Sequence, residues 1–160
     1  MRVVLALAAM LPLCMPGQTP KAPVQPVPFG HRQHAAAKIA CKQCHPNAAR
    51  AERAGLPSAA QCMACHTSVK KESPGIQQLA DFHKEEKPVP WARVYRLPDF
   101  VFFSHATHVN AGVECAECHG AVEQRETLSA EIVHNMKTCM ACHQTRNASN
   151  KCHVCHELGQ

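Results

Sequence analysis

Five copies of the motif Cys-x-x-Cys-His constrain this 160-residue chain more than any other feature of its sequence. The copies are Cys41-Cys44-His45, Cys62-Cys65-His66, Cys115-Cys118-His119, Cys139-Cys142-His143 and Cys152-Cys155-His156. They use every cysteine except Cys14. The motif is typical of covalent haem c attachment, in which both thiols bind the porphyrin and the adjacent histidine lies beneath the iron. The sequence therefore predicts five haem c groups, with the five motif histidines as proximal iron ligands.

Two other cysteine chemistries explain the pattern less well. A disulfide framework gives no reason for a histidine after every cysteine pair, and the number of cysteines, 11, is odd. Paired Cys-x-x-Cys knuckles also bind zinc, but five pairs cannot all join two by two. With the chain's own Cys and His frequencies, chance supplies on the order of 0.05 copies of the haem motif.

The composition favours a fold organised around these groups. Aromatic residues make up only 4% of the chain, so a conventional side-chain core is thin, and small chains of this kind depend on covalent or metal staples. The 12 prolines and 7 glycines favour turns over long regular elements. We therefore expect a mostly irregular chain with short α-helices. The formal charge of +5 does not indicate nucleic-acid binding, because five haems bring roughly ten propionate charges.

The N-terminus has the layout of an exported protein. Residues 1–17 carry an early Arg2, an apolar run too short to cross a bilayer, and Pro16-Gly17, which predicts a signal peptide. Lipidation of Cys14 is the alternative, although Leu13 stands where a small residue is preferred. The proline-rich residues 18–28 predict an extended tether. We expect a periplasmic or otherwise exported protein, with a lipid anchor as the alternative.

Residues 29–160 form the predicted haem domain, and they contain an internal repeat. A Phe-x-His-x-x-His box occurs at Phe29-Gly-His31-Arg-Gln-His34 and again at Phe103-Ser-His105-Ala-Thr-His108. In both copies the first box histidine lies 10 residues before the next motif cysteine (31 to 41 and 105 to 115). The repeat predicts a two-haem half, residues 29–100, and a second half, residues 101–160, that carries a fifth haem.

Local signals predict a few helices. The alanine-rich stretch 48–54 favours one short helix, and Ser58 is placed to cap another that carries Cys62. Ser73-Pro74 predicts a helix start, with an apolar stripe that ends near Lys84. Thr127 or Ser129 is placed to cap a helix that extends to Met136.

Seven histidines lie outside the proximal positions and are candidates for the second axial position of each iron. They are His31, His34, His83, His105, His108, His134 and His153. Met136 is a further candidate, and a His/Met site would have a raised potential compared with a bis-histidine site.

Residues 103–156 resemble the tri-haem members of the class III cytochrome c family, which share a Phe-x-His-x-x-His box, a haem motif, a lone histidine and two further motifs. The resemblance implies that His105 serves the third haem, His108 the fourth and His134 the fifth. By the internal repeat, His31 then serves the first haem and His34 the second. His83 and His153 are left over, and Met136 is the rival of His134.

A broader resemblance covers residues 27–156. It rests on Cys62-Met-Ala-Cys-His66, Ser73-Pro74, and the run from Pro88-Val-Pro-Trp91 through Asp99-Phe100 to Phe103-Ser-His-Ala-Thr-His108. These segments are similar to the pentahaem cytochrome subunit of bacterial alternative complex III, a quinol-oxidising membrane complex. Members of that family usually carry a membrane-spanning N-terminal helix, and the apolar run here is shorter.

These patterns predict an electron carrier of a quinol-linked respiratory chain. Its expected partners are redox proteins: a quinol-oxidising complex, other cytochromes, or a terminal reductase or oxidase. Membrane association would come through a partner or through lipidated Cys14. The first alternative is a docked cytochrome subunit of a quinol-oxidising membrane complex. The second, less favoured, is a multihaem reductase, which needs an open iron. Pentahaem nitrite reductases typically use Cys-x-x-Cys-Lys at the active haem, whereas every motif here ends in His.

Overall fold

The computed structural model describes residues 21–157, and within that range the chain forms short helices without a β-strand. The α-helices are α1 (His31–Ala36), α2 (Cys41–Cys44), α3 (Ala59–His66), α4 (Pro74–Lys84), α5 (His105–Asn110), α6 (Cys115–His119), α7 (Met136–Thr145) and α8 (Cys152–Cys155). Two 3₁₀ turns, Pro46–Ala49 and Val122–Gln124, follow α2 and α6. The longest helix has 11 residues. The expected fold class, short helices in a mostly irregular chain, is confirmed.

The signal peptide predicted for residues 1–17, Cys14 and the first part of the tether lie outside the described residues. The last part of the predicted tether is fixed to the folded chain. The Gln25 side chain donates a hydrogen bond to the Ala92 carbonyl at 2.9 Å and accepts one from the Ala92 N–H at 3.0 Å. Val27 is 1% exposed, so the packed structure begins before the first box.

Helix starts were predicted better than helix extents. Ser58 caps α3 by accepting a hydrogen bond from the Gln61 N–H at 3.3 Å, and Pro74 opens α4 as expected. The stretch 48–54 is only the end of a 3₁₀ turn followed by bends. The helix expected up to Met136 was wrong, because α7 begins there, capped by Asn135. The preceding loop is held instead by side chains, since the Tyr95 hydroxyl accepts a hydrogen bond from the Glu131 N–H at 3.1 Å.

The apolar core is small and lies entirely in the first half. Among the described residues, the buried apolar side chains are Val27, Ala59, Met63, Leu79 and Val89, and of these Val27 is fully buried. They join α3 to α4, and Trp91 packs against the cluster while its indole N–H donates to the Pro57 carbonyl at 2.9 Å. Within residues 101–157 no side chain is buried. Side-chain packing therefore stabilises the first half, whereas the second half needs another source of buried surface.

The two halves of the chain contact each other through equivalent backbone hydrogen bonds. The Arg32 N–H in α1 donates to the Arg125 carbonyl at 2.9 Å, and the Ala106 N–H in α5 donates to the Ala51 carbonyl at 3.0 Å. The acceptors match in the repeat, since each lies 7 residues after the second cysteine of a motif (44 to 51 and 118 to 125). Each box helix thus has first-turn donors satisfied by the other half, which brings the first and third motifs together.

Candidate haem sites

The motif cysteines are carried on short helices. In each motif the two cysteines are three residues apart, and residues at this spacing share one face of a helix. The ten motif cysteines are all free of disulfide bonds in the described part of the chain. Two free thiols on one helical face suit attachment to one flat macrocycle.

Most of the predicted iron ligands make the same kind of hydrogen bond to the backbone. In seven of them the Nδ1 atom bonds a backbone carbonyl, which leaves Nε2 unprotonated and directed away from the backbone. The pairs are His34 with Gly30 (2.9 Å), His45 with Gly55 (2.8 Å), His66 with Val69 (2.8 Å), His105 with Glu52 (2.8 Å), His108 with Ser104 (2.8 Å), His143 with Ser149 (2.7 Å) and His156 with Glu157 (3.3 Å). This arrangement is the usual outer support of a metal-binding imidazole.

Three pairs of a box histidine and a motif histidine have the separation that one metal ion between them requires, and His119 with His134 is a fourth pair at this separation, 5.9 Å. A metal–nitrogen bond of about 2 Å on each side, with each nitrogen about 1 Å from its ring centre, places the two ring centres about 6 Å apart. The observed ring-centre distances are 6.2 Å for His34 and His66, 6.3 Å for His105 and His119, and 6.0 Å for His108 and His143. The second, third and fourth motifs therefore each have a box histidine in place.

Burial keeps two of these imidazoles neutral, which a metal ligand must be. Burial, and after it the charges of His45 and His34, lower the pKa of His31 to about 4. The pKa of His119 is also lowered to about 4, by burial first and then by His134, His105 and His45. His31 therefore lies close enough to His45 for a charge on His45 to lower its pKa.

A phenylalanine orients both histidines of each box. Phe29 stacks on His34 at 4.6 Å and meets His31 edge-on at 4.8 Å. Phe103 contacts His108 and His105 with the same distances, 4.6 and 4.8 Å. The box is thus one rigid unit in which a single ring sets the directions of two imidazoles that belong to different motifs.

The motifs are neighbours in an order that differs from their order in the sequence. Burial raises the pKa of the Cys44 thiol, and Cys41 and Cys65 of the first two motifs raise it further. Cys41 is likewise the first charged neighbour that raises the pKa of Cys115, after burial. Beyond the third motif, the side chain of Arg146 at the end of α7 bonds Glu117 of α6 at 2.7 Å.

Two hydrogen bonds fix the position of the fifth motif and of the segment before it. The Phe102 N–H donates to the Cys155 carbonyl at 2.6 Å, and the Asn150 amide donates to the Met140 carbonyl inside the fourth motif at 3.1 Å. These contacts place the first motif beside the second and the third, and the third beside the fourth, while the fifth motif contacts the segment before the second box at Phe102.

His134, predicted as the distal ligand of the fifth iron, lies beside the third motif. Its Nε2 lies 2.6 Å from the Cys118 carbonyl oxygen, and its ring centre lies 5.9 Å from that of His119. Among the described residues, His156 has no histidine ring opposite it at the separation of the other pairs. His83 and His153 are exposed, and Met136 is 67% exposed.

Sequence reasoning missed the role of Tyr95. Its ring stacks on His134 at 4.5 Å and meets His119 edge-on at 4.9 Å, as the box phenylalanines do with their histidines. The carbonyl acceptors of Glu52 and Gly55 were also missed, because any residue type supplies a backbone carbonyl. Tyr95, the single tyrosine of the chain, was the one available signal.

Residues 21–157 contain neither a membrane-spanning helix nor a clustered side-chain metal site. No helix in this range has the length and apolar character needed to cross a membrane. No group of three or more His, Cys, Asp or Glu side chains in the same range is clustered as a metal site.

Comparison with known proteins agrees with the motif pattern. The class III cytochrome c family matches residues 14–91, and the family of cytochrome c7 and related cytochromes c matches residues 101–157. The chain is also 34% identical over 161 aligned residues to the "Menaquinone reductase, multiheme cytochrome c subunit" of Nitratidesulfovibrio vulgaris strain Hildenborough. That alignment covers 83% of this chain and 77% of the relative. The chain therefore belongs to the class III-type multihaem c cytochromes, a family of haem c-carrying electron-transfer proteins.

Proposed function

We propose that this cytochrome binds five haem c groups, one at each Cys-x-x-Cys-His motif. His45, His66, His119, His143 and His156 are the proximal ligands. His31, His34, His105 and His108 are the distal ligands of the first four irons, in that order. The observation that carries this assignment for the second, third and fourth irons is the set of histidine pairs with ring centres about 6 Å apart and with Nε2 of the box histidine left free by a bond at Nδ1. The internal repeat extends it to His31 and the first iron.

The proposed function is one-electron relay. Haem c supplies reversible ferric–ferrous chemistry when bound, and the chain sets its potential through ligand identity, burial and hydrogen bonds. In the proposed relay the second and the fifth motifs are the two ends. Electrons enter at one end site and leave at the other, and each box helix keeps two neighbouring sites at a fixed separation.

The partners proposed are redox proteins of a quinol-linked respiratory chain, with the protein exported to the periplasm. The relative from Nitratidesulfovibrio vulgaris is named as a subunit of a menaquinone reductase, which favours a docked subunit of a menaquinone-linked membrane complex over a free carrier. Covalent haem c attachment takes place outside the cytoplasm, which supports export.

Affinity purification of the tagged protein from native membranes distinguishes a docked subunit from a free carrier. Stoichiometric co-purification of a quinone-reactive complex supports the docked subunit, and recovery in the soluble periplasmic fraction supports the free carrier.

Haem counting tests the central proposal. Pyridine haemochrome analysis, combined with intact mass, should give five haems per chain. A variant with Cys152→Ala and Cys155→Ala should give four and serves as the matched control for the counting. Two or three haems in the parent protein would contradict the five-site assignment.

A further inference from the structure

We propose that His134 supports the third haem site and does not ligate the fifth iron. The inference rests on the five-haem proposal above and concerns the one predicted ligand whose position does not fit its predicted iron. It leaves His156 without a histidine from the described chain on the opposite side.

The nitrogen that His134 would need for iron binding is already used. Its Nε2 lies 2.6 Å from the Cys118 carbonyl oxygen, and a carbonyl only accepts, so this nitrogen carries the proton. Turning the ring over would place a C–H carbon at that distance, well short of the roughly 3.3 Å at which such contacts occur. The seven anchored ligands use the opposite nitrogen, Nδ1, for their backbone bond.

Tyr95 holds the His134 ring in this position. The two rings stack at 4.5 Å with an angle of 23° between their planes. The Tyr95 hydroxyl is fixed in turn by the Glu131 N–H at 3.1 Å, three residues before His134. Movement of His134 to another site would break the stack, the Cys118 bond and the loop contact together.

The same contacts place His134 beside the third motif. Tyr95 meets the edge of the His119 ring at 4.9 Å, and Cys118 is one of the two thiols that attach the third haem. The side of the third iron opposite His119 is taken by His105, whose ring lies parallel to that of His119 at 6.3 Å. His134 is therefore a positioning residue, since it touches the backbone of one attachment cysteine and, through Tyr95, the proximal histidine.

Spin state measures directly whether an iron has lost a ligand. In His134→Phe, which keeps a ring for Tyr95 but has no nitrogen, we expect the same number of high-spin haems as in the parent by electron paramagnetic resonance. Carbon monoxide binding by the reduced protein should also be unchanged. The control His108→Phe removes a ligand that faces His143 and should add one high-spin, CO-binding haem per chain. One added high-spin haem in His134→Phe would overturn the proposal.

A conservative variant tests the supporting role. His134→Gln keeps an N–H that can donate to the Cys118 carbonyl, so the signal of the third haem should stay near that of the parent, whereas His134→Phe should shift it. An unshifted third haem in both variants would also contradict the proposal. If His134→Phe fails to load haem, the ligand count is read from His134→Gln, which cannot bind iron as an imidazole does. Fewer than five haems in the parent protein would contradict the function proposed above. This haem count is measured separately from the spin state that tests His134.

Discussion

Leu79→Ala tests how much of the stability comes from side-chain packing rather than from the haems. Leu79 is 4% exposed and lies at the centre of the core cluster between α3 and α4. Transfer of the three lost carbon atoms to water costs about 2.4 kcal/mol at about 0.8 kcal/mol per buried CH₂. A partly relaxed cavity adds to this cost, and Leu→Ala substitutions in cores span about 2–5 kcal/mol. Because this cluster is small and its neighbours can move inward, we expect a loss of about 3 kcal/mol in the free energy of unfolding.

The assay is urea unfolding of the haem-loaded protein, followed by far-ultraviolet circular dichroism. A loss of about 3 kcal/mol corresponds to a fall in Tm of roughly 6–12 °C for a chain of this size. Val24→Ala is the matched control, because Val24 is 89% exposed and its truncation should change stability by less than about 0.5 kcal/mol. A loss below about 1 kcal/mol in Leu79→Ala would refute the reasoning, since it would mean that the apolar cluster adds little to what the haems supply.

Three further substitutions or conditions have definite expected results. Asn135→Ala removes the side-chain oxygen that accepts the Thr138 N–H at 2.9 Å at the start of α7, and should cost about 1 kcal/mol in urea unfolding. Arg146→Ala breaks an ion pair with Glu117 whose side chains are 40% and 38% exposed, so we expect less than about 1 kcal/mol; a larger loss would show that α6 and α7 are coupled more strongly. Acid should destabilise the protein between pH 6.5 and about 4, because the lowered pKa of His31 and His119 means that the unfolded chain binds more protons there. Equal urea midpoints at pH 7 and pH 5 would contradict this last prediction.

The sequence predicted the family, the fold class and two of the helix starts for physical reasons. Covalent attachment needs two thiols and a histidine at fixed spacing, so the motif is visible without any structure. Ser58 and Pro74 act within one turn of their own helices, and such local effects are also readable. The repeat of the boxes further predicted that α1 and α5 have equivalent roles, and their reciprocal hydrogen bonds to the other half agree with this.

What the sequence could not show depends on contacts between distant residues. The position of His134 is decided by Tyr95, 39 residues earlier (95 to 134), and by a backbone carbonyl that carries no sequence signal. The resemblance to tri-haem cytochromes predicted that His134 serves the fifth haem, and this prediction used only the place of His134 in the order of the motifs. In the same way, the helix expected before Met136 is absent because the Arg125–Glu131 ion pair and the Tyr95 hydroxyl hold that loop in another conformation.

The two halves of the chain depend on different sources of stability, because buried apolar surface is distributed unequally between them. Within the described residues, the first half has five buried apolar side chains, whereas residues 101–157 have none and still carry three of the five motifs. A chain segment that buries little apolar surface cannot offset its conformational entropy by itself. The cofactors must therefore supply the missing core of the second half, where they are also closest to one another in sequence. The first half, fixed by its own packing, then provides the surface on which α5 docks, through the carbonyls of Ala51 and Glu52. This dependence links stability to function, because the contact that secures the second half is the same contact that sets the first and third motifs side by side.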